Sequence, residues 1–191
     1  MKTITIEGQL RSEVGKKATR RLRSEQQVPC VIYGGPEIVN FSAPATEFQH
    51  LVYTPEFQLV EIKAGDKAYR CVMKDLQFDP VTDQLIHVDF LELVEGKKVT
   101  VTLPIKFVGQ PAGVKAGGKL VTKMKSLKVK ALPKDLREHV ELDIENLELN
   151  KNIRVEDVKA EGFDILNSPR IPIASVVMTR ALKQEEAAEK K

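Results

Sequence analysis

The chain has 191 residues, 42% of them hydrophobic, with 5% aromatic, no Trp and a formal net charge of +3 at pH 7. Its cores must rest on Val, Ile and Leu, and base stacking on aromatic rings is at most a minor device. No apolar run approaches the roughly 18 residues of a membrane span and Met1-Lys2 leads straight into alternating residues, so no membrane segment and no secretory leader is expected, and the protein should be soluble and cytoplasmic.

Taken in chain order, Thr3-Ile4-Thr5-Ile6-Glu7 alternates as a half-buried strand does. The next segment is the least ordinary in the chain. Arg11, Lys16, Lys17, Arg20, Arg21 and Arg23 stand against one acid, Glu13, whereas Ser24 to Ile62 holds five Glu and no Lys or Arg. Such a concentration of one sign is an anion-binding surface, and a polyanion is the first ligand to consider. Gly15 should precede a basic loop and a helix should run from Ala18 to Gln27, which lacks Gly, Pro and, after Thr19, β-branched residues. At 100° per residue Arg20, Arg21 and Arg23 then fan out rather than share a face.

Val28 to Tyr33 reads as a buried strand ending in Tyr33-Gly34-Gly35, a turn that allows close backbone approach. Cys30, like Cys71 further on, lies inside an apolar strand-like run and is expected to be a small buried hydrophobe rather than a disulfide or metal ligand. A short strand at Val39-Asn40-Phe41 and a capping box at Thr46-Glu47-Phe48-Gln49 before Leu51 follow.

Residues 74–90, KDLQFDPVTDQLIHVDF, read as two strands joined by a turn at Asp79 to Asp83. Period two places Leu76 and Phe78 inward with Ile86, Val88 and Phe90, leaving Asp75, Gln77, His87 and Asp89 together on the outer face. An enzyme would use Asp75, His87 and Asp89 as acid, base or metal ligands, but no Ser, Cys or second His is placed as nucleophile or further ligand by a recognisable spacing. The same groups suit RNA, since Gln and Asp accept from, and Gln and His donate to, base edges and 2′-hydroxyls. No catalytic site, cofactor or metal is expected.

The charged step Val94-Glu95-Gly96-Lys97-Lys98 marks the expected domain boundary, giving domains at 1–95 and 96–182 and a charged, frayed tail at 183–191. Beyond it, Thr100 to Leu103 and Lys125 to Ala131 alternate as strands, and a short helix is expected around Val155 to Lys159. Gly113 to Lys119 fits the first seven positions of a P-loop, but Leu120 replaces the Mg²⁺-binding Ser or Thr and a strand follows, so a Gly-rich hairpin turn is expected and no nucleotide. Residues 97–134 carry ten Lys and no acid, and residues 135–164 ten acids and four basic residues. The Lys run could lie against RNA without reading it or could be a solvated face.

The stretches GKKATRRLR, VPCVIYGG, DLQFDPVTD and HVDF, in that order, resemble the bacterial large-subunit ribosomal proteins that bind 5S rRNA, the protein twenty-five family. The second half, with LPIKFVGQPAGVKAGGKL, LPKDLREHVELDIENLELN and IRVEDV, looks like the β-rich extension of its long, general-stress (CTC) form. The resemblance implies a mostly β protein with few short helices: a closed N-terminal β-barrel and a β-rich C-terminal domain. It also implies binding to loop E of 5S rRNA from the minor-groove side, with contacts by motif position at Lys16, Arg20, Arg21, Arg23, Tyr33, Gly34, Asp75, Gln77, His87 and Asp89. Arg11 and Lys17 join this set through the basic cluster. The chain departs from relatives at Lys17, where many have Gly, and at Phe78-Asp79. Other large-subunit rRNA or proteins are candidate partners of the second domain. A stress-associated protein-interaction module, or a metal-dependent hydrolase using Asp75, His87 and Asp89, are the alternatives.

Overall fold

The computed structural model describes residues 1–65, 67–159 and 162–179, so the tail expected at 183–191 lies outside the described residues. The chain forms two compact units, Met1–Val101 with Leu132–Glu138, and Thr102–Ala131 with His139–Lys191.

The first unit is a closed six-stranded barrel of β1 (Thr3–Leu10), β2 (Gln27–Tyr33), β3 (Val39–Pro44), β4 (Leu59–Ala64), β5 (Lys67–Phe78) and β6 (Leu85–Glu92). Its strand order is β1-β3-β2-β6-β5-β4. Parallel pairing of β1 with β4, from Thr3↔Leu59 to Gly8↔Ala64, closes the ring and removes both sheet edges. The inward residues are those that alternation selects: Ile6, Cys30, Ile32, Phe41, Val60, Ile62, Cys71, Val88 and Phe90 are fully buried. Phe90 meets Phe41 and Phe48 with ring centroids 5.9 and 6.3 Å away, so its truncation to Ala would cost about 3–5 kcal/mol. Gly8 is required here, because a Cβ would stand 2.4 Å from the Phe41 ring. Both cysteines are free and buried, as expected.

The helices are short. Helix α1 is Lys16–Ser24, two residues earlier at its start than expected, because Gly15 takes φ 114° and its carbonyl accepts both the Thr19 amide and the Thr19 hydroxyl. The expected basic loop at Lys16-Lys17 is therefore the first turn of the helix. No capping box forms at Thr46. A 3₁₀ turn, Ala45–Phe48, starts after Pro44 without a side-chain cap, and Glu47 instead accepts the Glu7 amide at 2.9 Å. The turn runs into α2 (Gln49–Val52), and together they bury Phe48 and Leu51.

The second unit contains all but the first three residues of β7 (Val99–Val108), with α3 (Ala112–Lys115), β8 (Lys119–Thr122), β9 (Ser126–Ala131), β10 (Val140–Asp143), β11 (Asn152–Arg154), β12 (Phe163–Ile165) and β13 (Pro172–Val177). These make a four-stranded sheet, β10-β7-β9-β12, and a three-stranded sheet, β11-β13-β8. In β9, Leu127, Val129 and Ala131 are buried and Lys128 and Lys130 exposed, the alternation expected. The glycine-rich segment is not a hairpin turn: α3 occupies it, Gly117 at φ 86° ends it, and β8 leads into a different sheet from β7. The expected helix after Arg154 is only a 3₁₀ turn, Val155–Asp157, where the Asp157 carboxylate accepts the Arg154 amide at 2.8 Å.

Candidate nucleic-acid interface

The β5–β6 hairpin supplies the polar face. Its register pairs Asp75 with Asp89 and Gln77 with His87, so all four point to one side. Two bulges produce that register. Lys74 is the extra residue on β5, and Ile86 is unpaired between the Gln77↔His87 and Phe78↔Leu85 pairs. The second bulge overturns one expectation: Phe78 does not turn inward with Val88 and Phe90 but is 40% exposed at the hairpin end. The connecting turn is where the sequence placed it. Asp79 accepts the amides of Val81 and Thr82 at 2.9 and 3.0 Å, and these bonds hold its carboxyl below the usual range.

Two carboxylates directly opposite each other across a ladder repel, which costs a few tenths to about 1 kcal/mol. Asp75 accepts the Leu76 amide at 2.9 Å. Asp89 is met by His87, whose Nδ1 lies 2.7 Å from its Oδ1. That approach is off the line of a ring N–H bond, so Nδ1 is buried with an ion-pair contact but no aligned hydrogen bond. Tyr33, on the neighbouring strand, senses the same pair: burial first, then Asp89 and Asp75, raise its phenol above the usual value. The phenol therefore stays a neutral donor.

A transverse row extends this face around the barrel. Asp75 pairs with Asp89, Asp89 with Val31, Val31 with Asn40, and the Asn40 carbonyl accepts the Arg11 amide at 2.9 Å. Arg11 brings a guanidinium whose Nε and Nη1 are buried without a hydrogen-bond partner. Unpaired buried donors cost about 1–3 kcal/mol each, so a side-chain shift that brings them to an incoming acceptor is favourable. Asn40 and Val31 were missed in the sequence. The signal for Asn40 was present, because alternation at Val39-Asn40-Phe41 turns it outward.

Helix α1 supplies the cations. Ala18 and Leu22 make its half-buried side, and Lys16, Lys17, Arg20, Arg21 and Arg23 spread over the rest. They are not equivalent. Arg23 Nε donates to the Ile86 carbonyl at 3.3 Å, so the bulge that displaces Ile86 gives the helix its anchor beside His87. Arg21 pairs with Glu25 at 3.1 Å, whereas no ion pair holds Lys16, Lys17 or Arg20 among the described residues. Gly34 has a local reason to be glycine: φ is 95° and a Cβ would stand 2.5 Å from Leu91 Cδ1. Its carbonyl accepts Lys97 Nζ at 3.1 Å, a contact that the sequence did not indicate.

The Lys-rich and acidic stretches of the second unit meet within the four-stranded sheet. Strand pairing places Glu141 beside Lys106 and Asp164 beside Lys130, so the signs alternate across the sheet. Among the described residues no group of three or more His, Cys, Asp or Glu has an arrangement that could hold a metal ion, and no helix is long and apolar enough to cross a membrane.

Residues 6–90 match the Ribosomal L25p family, and residues 98–180 match the family described as Ribosomal protein TL5, C-terminal domain. The chain is 44% identical to the large ribosomal subunit protein bL25 of Cytophaga hutchinsonii, with 98% of both chains covered. It is 42% identical to the bL25 of Porphyromonas gingivalis over 96% of both chains, and 42% identical to that of Amoebophilus asiaticus over 96% of this chain and 93% of the relative. These relatives carry ribosomal names, and the barrel and the β-rich second unit correspond to the two matched families. The chain belongs to the ribosomal L25p family of large-subunit ribosomal proteins, in the form that carries a TL5-type C-terminal domain.

Proposed function

We propose that this protein binds loop E of 5S rRNA on its minor-groove side and stabilises the 5S ribonucleoprotein, making and breaking no bond. The observation that carries the reading is the row from Asp75 and Asp89 to Arg11, with the buried, unaligned Nδ1 of His87 beside it. Carboxylates at a polyanion surface are useful only as acceptors from base amino and imino groups, and orphaned donors only where acceptors arrive. An irregular RNA loop offers both on its shallow minor-groove side, whereas the major groove of regular A-form RNA is too deep and narrow for side chains.

The parts have different tasks. Lys16, Lys17, Arg20 and Arg21 neutralise phosphates and set the orientation, and Arg23 both carries charge and ties the helix to β6. Asp75, Gln77, His87 and Asp89 test base edges and 2′-hydroxyls, with Tyr33 as a neutral donor next to them. The closed barrel keeps these side chains in register, so little ordering entropy remains to be lost on binding.

The direct test is a binding titration of the purified, nuclease-treated protein with 5S rRNA and with a regular duplex of equal length. Preference for 5S rRNA that disappears when loop E is replaced by Watson–Crick pairs supports the reading. Equal affinity for both RNAs refutes it.

A further inference from the structure

A second feature adjoins the polar face. The C-terminal end of α1, the α2 turn and the tip of the β5–β6 hairpin enclose a cleft of about 730 Å³. That size is within the range of small-ligand sites. We propose that this cleft receives one unstacked nucleotide of the bound RNA, with its base on the Tyr53 ring and its phosphate toward Arg23, an inference that rests on the RNA-binding reading above.

Three properties of the cleft favour a nucleotide. Tyr53 lines it and is 71% exposed, an aromatic face of the kind on which bases stack. The walls also include Gln49 and Gln84, whose amides both donate and accept as base edges require. The lining carries charge of both signs. Arg23 lines it from α1, with only its Nε–H committed to the Ile86 carbonyl and its remaining N–H groups available for an anion. Asp79 and Asp83 line it from the hairpin turn. Asp79 Oδ1 already accepts two turn amides, so Asp83 is the carboxylate less committed to the turn. A phosphate in the cleft can thus pair with Arg23, from which Lys16 and Arg20 continue the positive surface along α1, while Asp83 offers an acceptor to a base amino group. The cleft and the polar face share strand β6, where Ile86, which lines the cleft, precedes His87.

The test uses the full chain. Tyr53→Trp introduces the only Trp of the protein, and Val81→Trp, at a residue 88% exposed on the hairpin tip and outside the cleft lining, is the control. On titration with 5S rRNA the Tyr53→Trp emission should be quenched at saturation and the Val81→Trp emission should not. Tyr53→Ala should weaken 5S rRNA binding about tenfold and Tyr53→Phe should leave it near wild type, as expected for loss and retention of one stacked base. If wild-type protein binds 5S rRNA selectively yet Tyr53→Ala binds equally well and the Trp is unquenched, the cleft proposal fails while the RNA reading stands. Equal quenching at both positions also overturns it. A Tyr53→Trp signal that responds to RNA-free large-subunit proteins but not to 5S rRNA would assign the cleft to a protein partner instead. Absence of selective binding by the wild type is the separate failure of the RNA reading.

Discussion

Asp75 and Asp89 face each other directly across β5 and β6, two carboxylates in register with no cation between them in that row until Arg11, three strands further on. In the free protein this pairing is unfavourable, and in a complex it offers several acceptor sites to RNA amino groups. Asp75→Asn keeps a side-chain oxygen for the Leu76 amide and removes the repulsion. It should raise the stability of the free protein by a few tenths to about 1 kcal/mol while weakening 5S rRNA binding. Denaturant unfolding and an RNA titration of the same preparation check both halves, and lower stability in the mutant would contradict the first.

The two arginines near the end of α1 should separate charge from architecture. Arg21 is exposed and paired only with Glu25, so Arg21→Ala should leave stability within about 0.5 kcal/mol. It should flatten the slope of log K against log salt by roughly one unit or less. Arg23→Ala should lower the salt slope similarly and also destabilise the unit by about 1 kcal/mol, because the Ile86 carbonyl loses its donor. Thermal melts beside the salt titrations distinguish the two. Identical melts for both mutants would show that the Ile86 contact does not anchor the helix.

The apolar runs around Cys30 and Cys71 marked both as buried. The alternating pattern was enough to read most of the barrel strands, though not β4 (Leu59–Ala64), and the shared outer face of Asp75, Gln77, His87 and Asp89, because period two sorts side chains wherever a strand is regular. Phe78 was misread for the same reason. The bulge at Ile86 slips the ladder by one residue, and nothing in LQFDP or QLIHV announces an unpaired residue. Barrel closure through β1 and β4 was not legible from composition either, since pairing between Thr3 and Leu59 joins segments more than fifty residues apart; it came from the family resemblance. The charge runs after Lys97 were legible as runs but not as surfaces, because β10 and β12 bring acids beside the lysines of β7 and β9.

All six barrel strands lie between Thr3 and Glu92, and so does every residue assigned to RNA. A fragment of residues 1–95 should therefore fold and bind 5S rRNA within about threefold of the full chain, a difference of about 0.7 kcal/mol. Circular dichroism establishes folding before the titration. A folded fragment with most of its affinity gone would place part of the site in the second unit.

The buried thiols should set the alkaline limit of the first unit. Burial pushes Cys71 from 9.0 up to about 12, and Cys30 is raised in the same direction by the same cause. The folded protein then keeps protons that the unfolded chain releases above pH 9, so stability present below that pH is lost as pH rises toward the folded values. Replacing both cysteines by Ala lowers stability at pH 7 through lost packing but should flatten the decline above pH 9. Parallel declines in wild type and double mutant would assign the alkaline sensitivity to other groups.

Asp89 bears most directly on the claim that this face reads RNA rather than merely adhering to it. The measurement is a salt titration of Asp89→Ala and Arg21→Ala on 5S rRNA with an intact loop E and on a regular duplex. Asp89→Ala should cost on the order of 1–3 kcal/mol for 5S rRNA and much less for the duplex, with its salt slope almost unchanged, whereas Arg21→Ala should weaken both RNAs and flatten both slopes. Tighter binding of Asp89→Ala to both RNAs alike would make Asp89 only a nearby negative charge and would contradict the account.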